Sequence, residues 1–128
     1  MPTAITNDVK VTVETAYQPN QSNPAEGEYM FAYRITIENN SENTIQLLRR
    51  HWFIIDSNGQ KKEVEGEGVV GEQPILEPGE VHRYISGSNL KSEIGKMFGT
   101  YLCERQIDGH TFEVRIPEFI LSTPFRLN

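Results

Sequence analysis

Polar and apolar residues alternate along most of this chain with a period of two, the mark of strands that turn one face to a core and the other to water. Val9, Val11 and Val13 interleave with Lys10, Thr12 and Glu14 and predict a strand ahead of the turn-rich stretch Gln18–Gly27. In the next predicted strand Tyr29, Phe31, Tyr33, Ile35 and Ile37 share one face, opposite Met30, Ala32, Arg34, Thr36 and Glu38, and the polar cluster Asn39–Asn43 then turns the chain. Ile45 through Asp56 reads as a third strand, but Trp52 and Ile54 are out of phase with Phe53 and Ile55. That strand is either buried on both faces or carries a bulge. The Asp56-Ser57-Asn58-Gly59 loop closes it. Further strands are predicted over Gln60–Gly66, Gly79–Ser86, Met97–Ile107 and Thr111–Ile116, punctuated by Pro78-Gly79, Ser86-Gly87 and Asp108-Gly109. Helical periodicity is absent apart from one turn's worth at Leu90–Ile94.

Seven or eight short strands at regular spacing predict an all-β chain. The expected architecture is an immunoglobulin-like, fibronectin type III-like antiparallel β-sandwich, with a barrel as the alternative. With 128 residues, no internal repeat and no linker-like stretch, the chain makes a single domain over residues 1–128.

Charge and cysteine content narrow the chemistry. Twelve Lys and Arg face 18 Asp and Glu, a formal net charge of −6 with no basic cluster, which argues against a phosphate-driven nucleic-acid surface. A single cysteine, Cys103, excludes an internal disulfide and an all-cysteine zinc site, and its phase with Met97 and Tyr101 marks it as a small core residue. The N-terminus, Met1 to Asp8, lacks the basic and apolar regions of a secretory signal, and no apolar run approaches the roughly 20 residues that span a bilayer. A cytoplasmic protein without membrane contact is expected. Ser86-Gly87-Ser88 sits outside any G-x-S-x-G context, and no Ser, Cys or zinc constellation emerges, so no enzyme and no cofactor is expected.

Four features remain as candidates for binding. Gly66-Glu67-Gly68-Val69-Val70-Gly71 is formally a G-x-G-x-x-G run, yet Pro74 and Pro78 follow too closely for the helix that would meet a pyrophosphate. Gly66, Gly68 and Gly71 could still cradle an anion with backbone N–H groups, or simply permit a tight loop. Glu63, Glu65 and Glu67 project from one face of a strand, either as oxygen ligands for a divalent cation or as charges that keep an edge soluble. Arg50 and Trp52 share a strand face and serve either as a partner-binding anchor or as a cross-strand structural pair. The apolar tail Phe119–Asn128 either docks as an edge strand or contacts another subunit, as in a homodimer. His51, His82 and His110 have no short ligand spacing between them.

The run Val64 to Pro74, then Leu76-Glu77-Pro78-Gly79-Glu80 and Tyr84-Ile85-Ser86-Gly87, resembles the signature of the bacterial ApaG family. Tyr29 to Tyr33, Leu47 to Trp52, Gly95, Met97, Gly99, Tyr101 and Phe112 to Phe119 extend the match over nearly the whole chain, while Lys91–Lys96 departs from it. The resemblance implies a fibronectin type III-like sandwich and no catalytic mechanism. Related domains in F-box proteins and in a DNA-polymerase-delta-interacting protein imply a module for protein–protein contacts, and the family's association with cobalt tolerance and magnesium efflux implies an indirect role in metal homeostasis. The expectation is therefore a non-enzymatic module that binds an unidentified protein partner. The alternative is a sensor of pyrophosphate, a nucleotide or a divalent cation at the Gly66–Pro74 loop.

Overall fold

The alternation beginning at Val9 extends to Tyr17. In the computed structural model, which describes residues 1–125, a short strand β1 (Thr3–Thr6) folds back on β2 (Val9–Tyr17) through Asn7 and Asp8. Both turn residues have positive φ, 47° and 63°, a conformation that Asn and Asp tolerate better than most. β2 pairs along its length with β3 (Tyr29–Asn39), and β3 pairs with β7 (Val81–Leu90). The second sheet runs in the order β5 (Lys61–Glu67), β4 (Ile45–Asp56), β8 (Ile94–Arg105), β9 (Thr111–Ser122), with the two-residue β6 (Ile75–Leu76) on the start of β4. Every pairing is antiparallel, and the two sheets face each other across one core. The chain is an immunoglobulin-like β-sandwich of nine strands among the described residues. None of those residues lies in a helix long and apolar enough to cross a membrane.

The out-of-phase pattern in β4 is a bulge. Its register on β8 slips between Leu47 and Arg49, so Leu48 is the extra residue. Ile45 and Leu47 point inward before the slip, and Arg50, Trp52, Ile54 and Asp56 point inward after it. A second slip puts Pro117, which has no N–H to donate, between the β8 partners Met97 and Gly99, and switches the inward set of β9 from Val114 and Ile116 to Phe119 and Leu121. Trp52, 3% exposed, anchors the core, with ring centroids 5.5 Å from Tyr33, 5.9 Å from Phe119 and 6.4 Å from Tyr101.

Two buried polar residues pin the loops. Asn39 donates to the carbonyls of Asn43 (2.8 Å) and Leu76 (2.9 Å), while its Oδ1 accepts from Ser41, which shapes the Asn39–Asn43 turn. The Asp56 carboxylate accepts the Lys91 N–H at 2.6 Å and the Ser92 hydroxyl, so residues 91–93 form a bend rather than the expected helical turn at Leu90–Ile94.

The two long sides of the sandwich differ. On one side β9 packs against β1 and β2, and the Arg115 N–H donates to Thr6 Oγ1 at 3.1 Å, tying one sheet to the other. The tail lies on this scaffold as far as it is described: β9 pairs with β8 and the Phe125 ring meets Tyr17 edge-on, while residues 126–128 lie outside the described part. On the opposite side β5 and β7 are both free edges among the described residues, with no strand between them, although Glu72 of the loop after β5 lies 3.9 Å from His82 of β7.

β4 and β8 approach closely at Gly99, where a Cβ would lie 2.0 Å from the His51 carbonyl oxygen. Gly99→Ala is expected to destabilise the domain by about 3 kcal/mol or more, because rigid backbone rather than a side chain must yield. Urea denaturation checks this, and an unchanged midpoint would contradict it.

Candidate functional site

The unsealed side opens into a cleft of about 390 Å³ between the sheets. β5 supplies its inward-facing positions, Lys62 and Val64, and β4 supplies Arg50, Trp52 and Ile54. β7 supplies the facing wall: Tyr84, Ser86 and Ser88 follow one another at every second residue, and Tyr33 stands beside Ser86 on the neighbouring strand. The floor is apolar, the wall bears hydroxyls and the two charged lining residues are both cations. No carboxylate of the described residues lines the cleft, although the protein as a whole is acidic.

Burial pushes the Tyr33 and Tyr84 phenols above the ordinary tyrosine range, against the opposing pull of the Ser86 hydroxyl on the first and the Tyr101 hydroxyl on the second. Tyr84 and Tyr101 share a hydrogen bond, and burial raises the Tyr101 phenol as well. All three phenols therefore stay neutral at physiological pH and available to hydrogen-bond. The Ser88 Oγ has no hydrogen-bond partner although the residue is only 7% exposed. An unpaired buried hydroxyl costs about 1–3 kcal/mol.

Arg50 shows what the glycine run does. Its Nη1 donates to the carbonyls of Glu67 (2.8 Å) and Gly68 (3.1 Å), and its guanidinium lies flat on Gly66, where a Cβ would sit 2.7 Å from Nη2. Gly68 has φ +60°, and a Cβ there would fall 2.1 Å from the Glu72 carbonyl oxygen. Val69 and Glu72 exchange both backbone hydrogen bonds around Val70 and Gly71, and the Gly68 N–H donates to the Leu48 carbonyl at 2.7 Å. The structure thus puts Gly66 among the last paired residues of β5 and Gly68 and Gly71 in the tight loop that follows, where the amides of Gly68, Val69 and Glu72 are spent on backbone carbonyls. Those three cannot also cradle a pyrophosphate. Val70 has φ +47° and is 62% exposed at the cleft rim, a conformation that costs a β-branched residue about 1–2 kcal/mol.

The acidic face of β5 divides. Glu63 and Glu65 meet His51 of β4, whose Nε2 lies 2.6 Å from Glu63 Oε2 and 3.6 Å from Glu65 Oε1, so one oxygen or nitrogen from each lies within 4.8 Å of the others. Glu67 is instead opposite Arg49 and outside that group. All of this faces away from the cleft. The pairing of Arg50 with Trp52 as an anchor for a protein partner needs correction, because Trp52 is 3% exposed among aromatic rings and what surface it keeps lines the cleft, where Arg50 also lies. Cys103 is 1% exposed with its thiol pushed up to about 12 by burial, a packing residue as expected.

Sequence reasoning missed His51 as the partner of the glutamates and missed the hydroxyl wall. The first requires the β4–β5 register; the second was available in the alternation of Tyr84, Ser86 and Ser88, obscured by reading Ser86-Gly87 as a turn.

Comparison with known proteins agrees with this fold. Residues 19–105 match the ApaG domain. The chain is 49% identical over 121 residues to Protein ApaG of Sinorhizobium fredii, covering 94% of this chain and 92% of that one. Over 127 residues it is 48% identical to Protein ApaG of Methylocella silvestris, covering 98% and 95%. It superimposes on the crystal structure of a Bordetella pertussis protein named ApaA with a TM-score of 0.89, at 43% identity and 98% coverage of both chains. A PapD-like domain of human CEP192 shares the fold at a TM-score of 0.51 and 10% identity, over 91% of this chain and 86% of that one. A family match across two-thirds of the sequence, with relatives near half-identical along its length, places the chain in the ApaG family.

Proposed function

We propose that the domain is a non-enzymatic binding module whose β7 edge takes an extended segment of a partner protein as an added strand. The carrying observation is the contrast between the two free edges. β5 shows water a row of charges, Lys61, Glu63, Glu65 and Glu67, which is how natural sheets discourage pairing. β7 is ten residues long, contains no proline and exposes Val81 (40%) and Ile85 (64%) on its outer face, with Arg83 between them where β5 carries four charges. An edge of that length with a single charge on its outer face offers main-chain hydrogen bonds to an incoming strand, and its alternate side chains supply selectivity. A reduced, buried Cys103 suits the cytoplasm, where the reading places the domain. The family's association with cobalt tolerance and magnesium efflux is then indirect, exerted through the partner.

A photo-cross-linking residue at Val81 is expected to give one discrete adduct in cells, and the same residue at Ile107, 84% exposed in a distant turn, none. Ile85→Lys is expected to remove the adduct without lowering the melting temperature, since the side chain is exposed. An adduct of twice the chain's mass makes the partner a second copy. Equal labelling at both positions, or an adduct indifferent to Ile85→Lys, overturns the reading.

A second reading, a divalent-cation sensor, is favoured by the meeting of His51, Glu63 and Glu65. On that reading Co²⁺ raises the melting temperature saturably, as any ligand of the folded state must, and His51→Gln abolishes the rise. No rise, or one that survives His51→Gln, discards it.

A further inference from the structure

We propose that the cleft between β5 and β7 is a binding site for a small organic carboxylate carrying a flat apolar body. The cleft has the volume of a small-molecule pocket and its usual make-up, an apolar lining with a few convergent polar groups. Trp52, Ile54, Val64 and Met97 provide the lining for the body. The head group meets Arg50, whose Nη1 is bound to the Glu67 and Gly68 carbonyls while Nε and Nη2 have no acceptor among the described residues. Lys62 stands at the exposed rim, and no acid lines the cleft to oppose an anion.

Ser88 is the second and independent sign. Ser88 lines the cleft, and its buried hydroxyl has no partner among the described residues, so a ligand oxygen seated against it would complete it. Tyr33 and Tyr84 add phenols that burial keeps neutral, and Ser86 a further hydroxyl on the same wall. One free guanidinium edge with neutral hydroxyls suits a singly charged head group better than a dianionic phosphate, which would need more positive charge to offset its desolvation. Val70, an apolar side chain in a strained left-handed conformation at the rim, stands where it would cover the body of a seated ligand. A free acid and the C-terminal carboxylate of a polypeptide offer this same chemistry.

Trp52 is the sole tryptophan and lines the cleft, so its emission reports occupancy directly. 4-Phenylbutyrate and a short peptide ending in phenylalanine are the probes, with their amides and inorganic phosphate as controls. A saturable emission change with a carboxylate probe is expected, weakened at least about tenfold in the matching amide. Tighter binding of the free acid assigns a metabolite, and tighter binding of the peptide assigns a chain terminus; both support the site. Lys62→Gln, at an exposed position, is expected to weaken binding about fivefold. Ser88→Ala is expected to weaken it similarly while leaving the melting temperature unchanged or raised, because it removes an unpaired buried hydroxyl. A merely structural serine would lower stability instead. No saturable change with either carboxylate, equal binding of the amides, tighter binding of phosphate, or indifference to both substitutions overturns the proposal.

Discussion

A two-layer sandwich can be closed along its length only where a strand of one sheet reaches the other, and in this chain β9 does so on one side alone. Its bulge at Pro117 lets a twelve-residue strand keep an apolar face inward before and after the slip. The strand thus follows β8 while also covering β1 and β2. The opposite side has no such strap. There the sheets end in β5 and β7, and the space between them is a cleft rather than a seam.

What occupies that unsealed side follows from the bulge in β4. The extra residue at Leu48 moves Arg50, Trp52 and Ile54 to the inner face. Trp52 and Ile54 find apolar neighbours in the core, but Arg50 lies beyond it and needs acceptors. The Glu67 and Gly68 carbonyls provide them, and the absence of a side chain at Gly66 gives the guanidinium room to lie flat. The glycine run that resembles a phosphate loop is therefore the seat of an arginine. An inward cation on an acidic domain is left facing a wall of hydroxyls, and the free β7 edge runs alongside. The proposed small-anion site and the proposed strand-adding edge thus lie on one side of the molecule.

Much of this was legible in the alternation. The bounds of β4, Ile45–Asp56, are those the sequence predicts, and β2 and β3 differ only at their C-terminal ends. β1 escaped notice because Thr3–Thr6 carries too little apolar character to show a period, and β6 because it has two residues. β7 runs through Ser86-Gly87 to Leu90, since Gly87 sits in mid-strand opposite Ala32 rather than in a turn. β9 likewise continues through Pro117 by bulging. The site was less legible than the fold because its parts come from different strands. Periodicity places Glu63 and Glu65 together, but only the β4–β5 register adds His51, and only the bulge decides that Arg50 points inward beside a buried Trp52.

The central claim is that this acidic domain has one unsealed side with a cationic interior reaching Trp52. Quenching of the single tryptophan by iodide and by caesium tests it most directly. The account predicts that iodide quenches Trp52 more efficiently than caesium despite the net charge of −6, because Arg50 and Lys62 draw the anion into the cleft. Equal quenching, or stronger quenching by caesium, would contradict it.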